Sequence, residues 1–223
     1  MKRFFLICLF IFFAFSAVYA GDVSNLLNLG FSKDGQVFAF GQYGLTDKNF
    51  RAYAEIYIVD IEKNEFIPKG VFKTTPTKAT ENKESKSVFL SLQNIAASSL
   101  SKAGISSKRQ GRFIYKQTEK TKNHKTLSFR DFETSDEYNV VLHTDKKGLK
   151  ASFHITFDIT KPDGSKKYCK VGNPNYKRKG VVDYNIKSII ISENNNSLIF
   201  VIEKILHEAS GNSVRYMIEA FSL

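Results

Sequence analysis

The chain has 223 residues and a net charge of +11, from 33 Lys and Arg against 22 Asp and Glu; it contains 20 Phe, no Trp and two Cys. That length corresponds to one large domain or two small ones, enough to bury a core without crosslinks. Two cysteines, one of them inside an N-terminal apolar run, exclude a disulfide framework.

Met1-Lys2-Arg3 opens a leader whose apolar run spans residues 4–15 and ends in Ser16-Ala17-Val18-Tyr19-Ala20 before Gly21. A positive flank, an apolar run and small residues at the cut are the pattern of a secretory signal peptide, with cleavage expected after Ala20. The run is short against the about 20 apolar residues that a bilayer span needs, and no later stretch approaches that length. The expectation is an exported chain, periplasmic or secreted, with no membrane span after cleavage. Export disfavours nucleic acid as the partner of the basic charge. Cys8 follows Ile7, where a lipidation site wants a small residue, and Cys169 stands alone among lysines, which favours a structural role over a nucleophilic one.

In chain order, residues 26–31, 37–41, 54–61 and 66–72 alternate as strands. Ser32-Lys33-Asp34-Gly35 and Glu62-Lys63-Asn64-Glu65 supply hairpin turns, because Gly and Asn tolerate positive φ. This predicts an antiparallel meander over 25–73, followed by a polar connector over 73–86. Val88, Phe89, Leu92, Ile95, Ala96, Ser99 and Ala103 fall three and four apart, which predicts one substantial helix over 86–103, capped by Ser85 or Ser87 and ended by Gly104. Short strands are predicted over 112–115, 126–129, 138–143 and 151–159, within a basic β region at 111–179 that ends in a loop over 172–179. Strands over 186–192, 198–205 and 214–221 form a C-terminal meander at 182–223. Residues 21–223 are therefore expected to form a single, mainly β domain of antiparallel meanders with one helix.

The two ends echo each other. A strand, the turn Ser32-Lys33-Asp34-Gly35, a second strand and Ile56-Tyr57-Ile58-Val59-Asp60 resemble one blade of the propellers of the TolB and WD40 kind. Ser192-Glu193-Asn194 between apolar strands repeats the theme, and two such units leave ring closure open.

Residues 31–35, Phe38-Ala39-Phe40-Gly41-Gln42-Tyr43-Gly44, Asp47 and residues 54–60 resemble a family of predicted secreted bacterial proteins of unknown function. Ala103-Gly104-Ile105 and residues 213–217 are similar too, so the resemblance spans most of the mature chain. It implies an exported location and carries no established activity and no catalytic residues. The loop after Asp47 is glycine-rich in that family and reads Lys48-Asn49-Phe50 here, so a site built on that loop would be altered.

No strong catalytic motif is present: neither a Gly-x-Ser-x-Gly elbow, nor a phosphate loop, nor a Rossmann glycine pattern. His207-Glu208 lacks the second His of a zinc-protease helix, and His124, His143, His154 and His207 lack ligand spacing. Asp34 and Asn194-Asn195-Asn196 could bind calcium but read equally well as turn formers. No metal and no cofactor are implied. The most site-like loop carries Gln42, Tyr43 and Asp47. Residues 102–125 hold eight Lys and Arg against Glu119 alone, and residues 146–179 hold ten against Asp158 and Asp163. Lys108, Arg109, Arg112, Lys177, Arg178 and Lys179 are therefore candidate contacts to an anionic partner: a protein, a glycan or another envelope component. The favoured function is an exported binding or interaction module. The alternatives are an extracytoplasmic hydrolase assembled from separated strands, or a structural part of an envelope complex bound through the two basic segments.

Overall fold

A computed structural model describes residues 21–46, 49–118, 125–208 and 211–223. Its strands are β1 (Asn25–Phe31), β2 (Val37–Leu45), β3 (Ala52–Asp60), β4 (Glu65–Thr74), β5 (Arg112–Lys116), β6 (Thr126–Arg130), β7 (Glu137–Lys146), β8 (Lys150–Thr160), β9 (Lys166–Lys179), β10 (Val181–Ile191), β11 (Ser197–Glu208) and β12 (Gly211–Ser222). The one α-helix among the described residues is α1 (Ser85–Lys102). The strands form three four-stranded antiparallel sheets: a first sheet in the order β1-β2-β3-β4, a middle sheet β12-β11-β10-β5, and an outer sheet β6-β7-β8-β9.

Side-chain alternation dictates how these sheets stack. On β2 and β3, Ala39, Ala52, Ala54, Ile56 and Ile58 form one core with Val88, Phe89, Leu92, Ala96 and Leu100 of α1. The opposite face of those strands, with Phe38, Phe40, Tyr57 and Val59, packs with Ile190, Ile199, Val201 and Ile218 of the middle sheet. Ile189, Ile191, Leu198, Phe200 and Ile202 point the other way and pack with Tyr138, Val140, Phe153, Ile155 and Phe157 of the outer sheet. The layers therefore run helix, sheet, sheet, sheet. A sheet covered on both faces needs apolar residues at every position, which explains the unbroken runs Ile189-Ile190-Ile191 and Leu198-Ile199-Phe200-Val201-Ile202. No closed barrel or propeller is formed by the described residues.

The helix approaches the first sheet closely because the residues under it are small. A Cβ built on Gly41 would lie 2.4 Å from the ring of Phe89. Phe89 is fully buried, so it has little room to retreat. Gly41→Val is expected to lower stability by about 2–3 kcal/mol through overpacking, read as a shifted urea midpoint. A shift below about 0.5 kcal/mol would show that α1 lifts freely.

Two local expectations need correction, and a third region proves to be divided between sheets. Ser85 and Ser87 do not cap α1: Glu84 occupies the cap position, and Ser87 Oγ donates to its carboxylate at 2.6 Å. Gly104 does end the helix, at φ +68°, with its N–H donating to Ser101 O and that of Ile105 to Leu100 O. The basic region at 111–179 is split between sheets, because β5 leaves its neighbours and pairs with β10 (Tyr115 opposite Ile189). Residues 172–179 are not a loop but continue β9 past a register shift at β8. As an edge strand, β9 carries Lys166, Lys167, Lys170, Lys177, Arg178, Lys179 and Pro174. Charges and proline on an edge hinder pairing with another chain, a reason for this lysine density that needs no ligand.

Candidate functional site

The two echoing turns lock onto each other. Ser32 Oγ donates to Asp34 Oδ1 (2.5 Å) and accepts from Val37 N–H, while Ser192 Oγ donates to Asn194 Oδ1 (2.7 Å) and accepts from Ser197 N–H. Asn194 and Asn196 each donate to the carbonyl of Asp34 (2.7 and 3.0 Å), and Ser197 Oγ donates to that of Gly35 (2.8 Å). These groups are engaged in turn bonds. Among the described residues, no group of three or more His, Cys, Asp and Glu could hold a metal ion.

The first basic cluster is directed inward at the same end. Arg109 donates to the carbonyls of Phe31 (3.1 Å) and Gly104 (2.5 Å). Arg112 grips Asp131 with two bonds of 2.5 and 2.6 Å, reaches Glu133 at 2.9 Å and donates to Asn195. Lys108 is exposed. In the second cluster, Lys177 pairs with Asp145 at 2.5 Å and Lys179 is exposed. The two clusters do not meet, since Arg112 sits on β5, one edge of the middle sheet, while Arg178 stands against residues of β12, the other edge.

Asp47 and Ala20 lie outside the described residues, and the other two members of the expected loop are structural. Gln42 is buried, and its carboxamide plugs the free edge of β12: Oε1 accepts the N–H of Tyr216 (2.7 Å), while Nε2 donates to the Tyr216 carbonyl (3.0 Å) and to Glu55 (2.8 Å). Tyr43 packs on Phe89, with ring centroids 5.2 Å apart. Asn64 repeats the plug, accepting the N–H of Ala220 (2.7 Å) and donating to Glu219 (2.5 Å). The main chain at Asp22 and Ser24 pairs in the same way with Val214.

Two cavities flank this plugged edge. One, of about 430 Å³, is lined by Val59, Asn64, Phe66, Arg178, Met217 and Ile218 among others. The other, of about 230 Å³, is lined by Tyr53, Glu55, Lys73 and Arg215 among others. Four residues of strand separate Arg215 from Glu219, or about 14 Å, so the two cavities lie along the same edge of β12, on either side of the Gln42 plug at Tyr216. Arg215 pairs with Asp22 (2.9 Å) and stacks over Tyr53 (4.2 Å), and Lys73 pairs with Glu55 at 3.5 Å. Arg178 stacks on the rings of Tyr176 (4.9 Å) and Phe153 (5.5 Å), donates to the hydroxyl of Tyr184 (3.5 Å) and acts on the Glu219 carboxylate without an ion-pair contact. Lys204, half-buried, forms no hydrogen bond or ion pair with any described residue. Burial pushes its pKa down and nearby Glu55 opposes that, while Arg178, Lys73 and Arg215 add to the lowering. Burial raises the Glu219 carboxyl against the pull of Asn64, Arg178 and the Gly172 amide. Of the six basic residues expected to contact a partner, only Arg178 lines either cavity. Lys204 carried a usable sequence signal: it shares the alternation phase of Phe200 and Ile202, where a lysine is out of place.

The remaining reactive side chains lie elsewhere. Cys169 is free and half-buried, and burial raises its thiol pKa against the opposing pull of Lys167. His143 shares a 2.8 Å hydrogen bond with Thr156 and stacks on His154 at 4.5 Å, whose pKa is lowered by burial, then by His143 and Lys170.

The fold and site define a layered, mainly β protein with two cavities of mixed charge along one edge strand. Residues 39–221 match the family described as "Predicted secreted protein (DUF2259)", and the chain belongs to that family. It is an exported protein of unknown activity. No helix among the described residues is long and apolar enough to cross a membrane. No curated protein and no solved structure matches the chain.

Proposed function

We propose that this exported protein is a binding module that holds an anionic ligand in the larger cavity beside β12. The observation that carries this reading is Arg178, a half-buried guanidinium that lines the larger cavity and forms no ion-pair contact, with Lys204, Lys73 and Arg215 within electrostatic reach and Glu55 and Glu219 as the nearby carboxylates. Partly buried positive charge that outnumbers the carboxylates around it and makes no direct ion pair is unfavourable in the free protein, and an anion would relieve it. The hydrolase alternative has less support, since neither cavity is lined by a histidine. The exposed lysines of β9 have their own explanation in edge protection, which leaves the structural-component alternative without a specific feature.

A stability–binding trade-off tests the proposal. Lys204→Met is expected to raise the stability of the free protein by about 1 kcal/mol, because an unpaired charge leaves a half-buried position. In wild type, saturating citrate should raise the melting temperature by several degrees, as any ligand selective for the native state does. The combined variant Arg178→Gln/Lys204→Met should lose that response, and 0.5 M salt should weaken it (about a 4 Å Debye length). A citrate response that is absent in wild type, or equal in the two proteins, sinks the reading.

A further inference from the structure

The plugs on β12 leave both main-chain groups of Ile218 open. In an antiparallel strand the N–H and C=O of alternate residues point to the same side, so Val214, Tyr216, Ile218 and Ala220 all present their main chain to the outer edge. Val214 is paired by Asp22 and Ser24, Tyr216 by the carboxamide of Gln42, and the N–H of Ala220 by that of Asn64, whose Nδ2 donates to the Glu219 side chain rather than to the Ala220 carbonyl. Among the described residues, none hydrogen-bonds the outward N–H or C=O of Ile218, which lines the cavity of about 430 Å³. At Tyr216 the partner is a primary carboxamide, whose C=O and N–H face the same way; the vacancy at Ile218 likewise asks for a donor and an acceptor side by side, which the N–H and the carboxylate of one extended terminal residue supply. Its surroundings are apolar on one side, at Val59, Phe66 and Met217, and charged on the other, where Arg178 stands with Glu65 and with Glu219, whose carboxyl is shifted toward its neutral form by burial. Phe66 is 54% exposed and stacks on Tyr57, with ring centroids 5.2 Å apart, so its other face can cover a bound side chain.

We infer that the cavity beside Ile218 recognises the C-terminal end of a peptide, whose last N–H donates to the Ile218 carbonyl, whose side chain lies on Phe66 and Val59, and whose carboxylate accepts the Ile218 N–H and meets Arg178. This rests on the anion-binding reading and adds the ligand class to it. A two-plugged edge has room for a single residue rather than an added strand, so recognition is of a chain end and not of a continuous segment.

The test uses the 15N-labelled mature chain from Gly21 and small probes. Without a probe, the Ile218 amide should exchange with solvent faster than those of Tyr216 and Ala220, which have side-chain partners. N-acetyl-leucine should slow that exchange and bind about tenfold tighter than 4-methylpentanoate, which keeps the carboxylate and branched body but lacks the amide. If the two carboxylates bind equally and Ile218 stays unprotected, the peptide inference fails while the anion reading stands. If N-acetyl-leucinamide, which is uncharged, binds as tightly as N-acetyl-leucine, the anion reading fails, and the inference with it. Tighter binding of N-acetylmuramic acid, a sugar with both an amide and a carboxylate, would overturn the peptide assignment in favour of a glycan.

Discussion

Arg112→Ala is expected to destabilise the protein by about 3–5 kcal/mol, the range for removing one partner of a buried ion pair, with the lower end favoured because Arg112 is 24% exposed. The Asp131 side chain is 1% exposed and accepts two bonds from Arg112, one from the N–H of Glu133 and one from the Thr134 hydroxyl. Arg112 belongs to the middle sheet and Asp131 follows β6 of the outer sheet, so the pair ties two layers. Without the guanidinium, a buried carboxylate keeps two weaker donors and no counter-charge.

The pH dependence follows from the same groups. Burial alone would raise the Asp131 pKa, but the hydrogen bonds of Arg112, Glu133 and Thr134 and the charge of Arg112 outweigh it and hold it below the usual carboxylate range. A depressed carboxylate contributes stability above its unfolded pKa of about 3.9 and loses it as pH falls through the folded value. The gap between wild type and Arg112→Ala should be full at pH 7 and narrow in acid below about pH 4. Urea titrations at pH 7 and pH 3 measure both. Equal midpoints at pH 7 would show that the clamp is not formed in solution. Arg112→Lys keeps the charge but loses the two-pronged geometry, so it should fall between the two.

Gln42→Ala should cost about 3 kcal/mol, since each buried polar group left without a partner costs about 1–3 kcal/mol. The substitution strips the N–H and C=O of Tyr216 of their partners and removes a donor from Glu55. Glu55 retains the Tyr57 hydroxyl, which donates to it at 2.7 Å. Denaturation gives the size of the loss, and hydrogen exchange locates it: the Tyr216 amide should lose protection while Ala220, held by Asn64, keeps its own. A loss below about 1 kcal/mol together with a still-protected Tyr216 amide would mean that the plug is dispensable.

The legible parts of this protein are those decided by near neighbours in the chain. Asp34-Gly35 and Lys63-Asn64 mark hairpins because their backbones accept positive φ, and Gly35 (+72°) and Asn64 (+51°) adopt it. The three-and-four spacing from Val88 onward specifies a helix that needs one apolar surface to rest on. The cap was misread because Ser87 has a local alternative partner in Glu84. Residues 172–179 read as a loop because glycine, proline and asparagine signal turns, whereas here they bend an edge strand without ending it.

The site was the least legible part, and Gln42 shows why. Its glycine-flanked position suggested a binding loop, yet its partner is Tyr216, 174 residues away. Arg112 likewise looked like a free cation until the fold brought Asp131 and Asn195 to it. Sequence alone determined export, the mainly β class, the turns and the helix, because leader chemistry, alternation and backbone tolerance act over a few residues. Only the tertiary structure decided the stacking of three sheets and which cations remain unpaired. A charge finds its counter-charge through space, so sequence clustering around Lys108–Arg112 and Lys177–Lys179 could not separate the occupied cations from Arg178, nor point to Lys204 beside it.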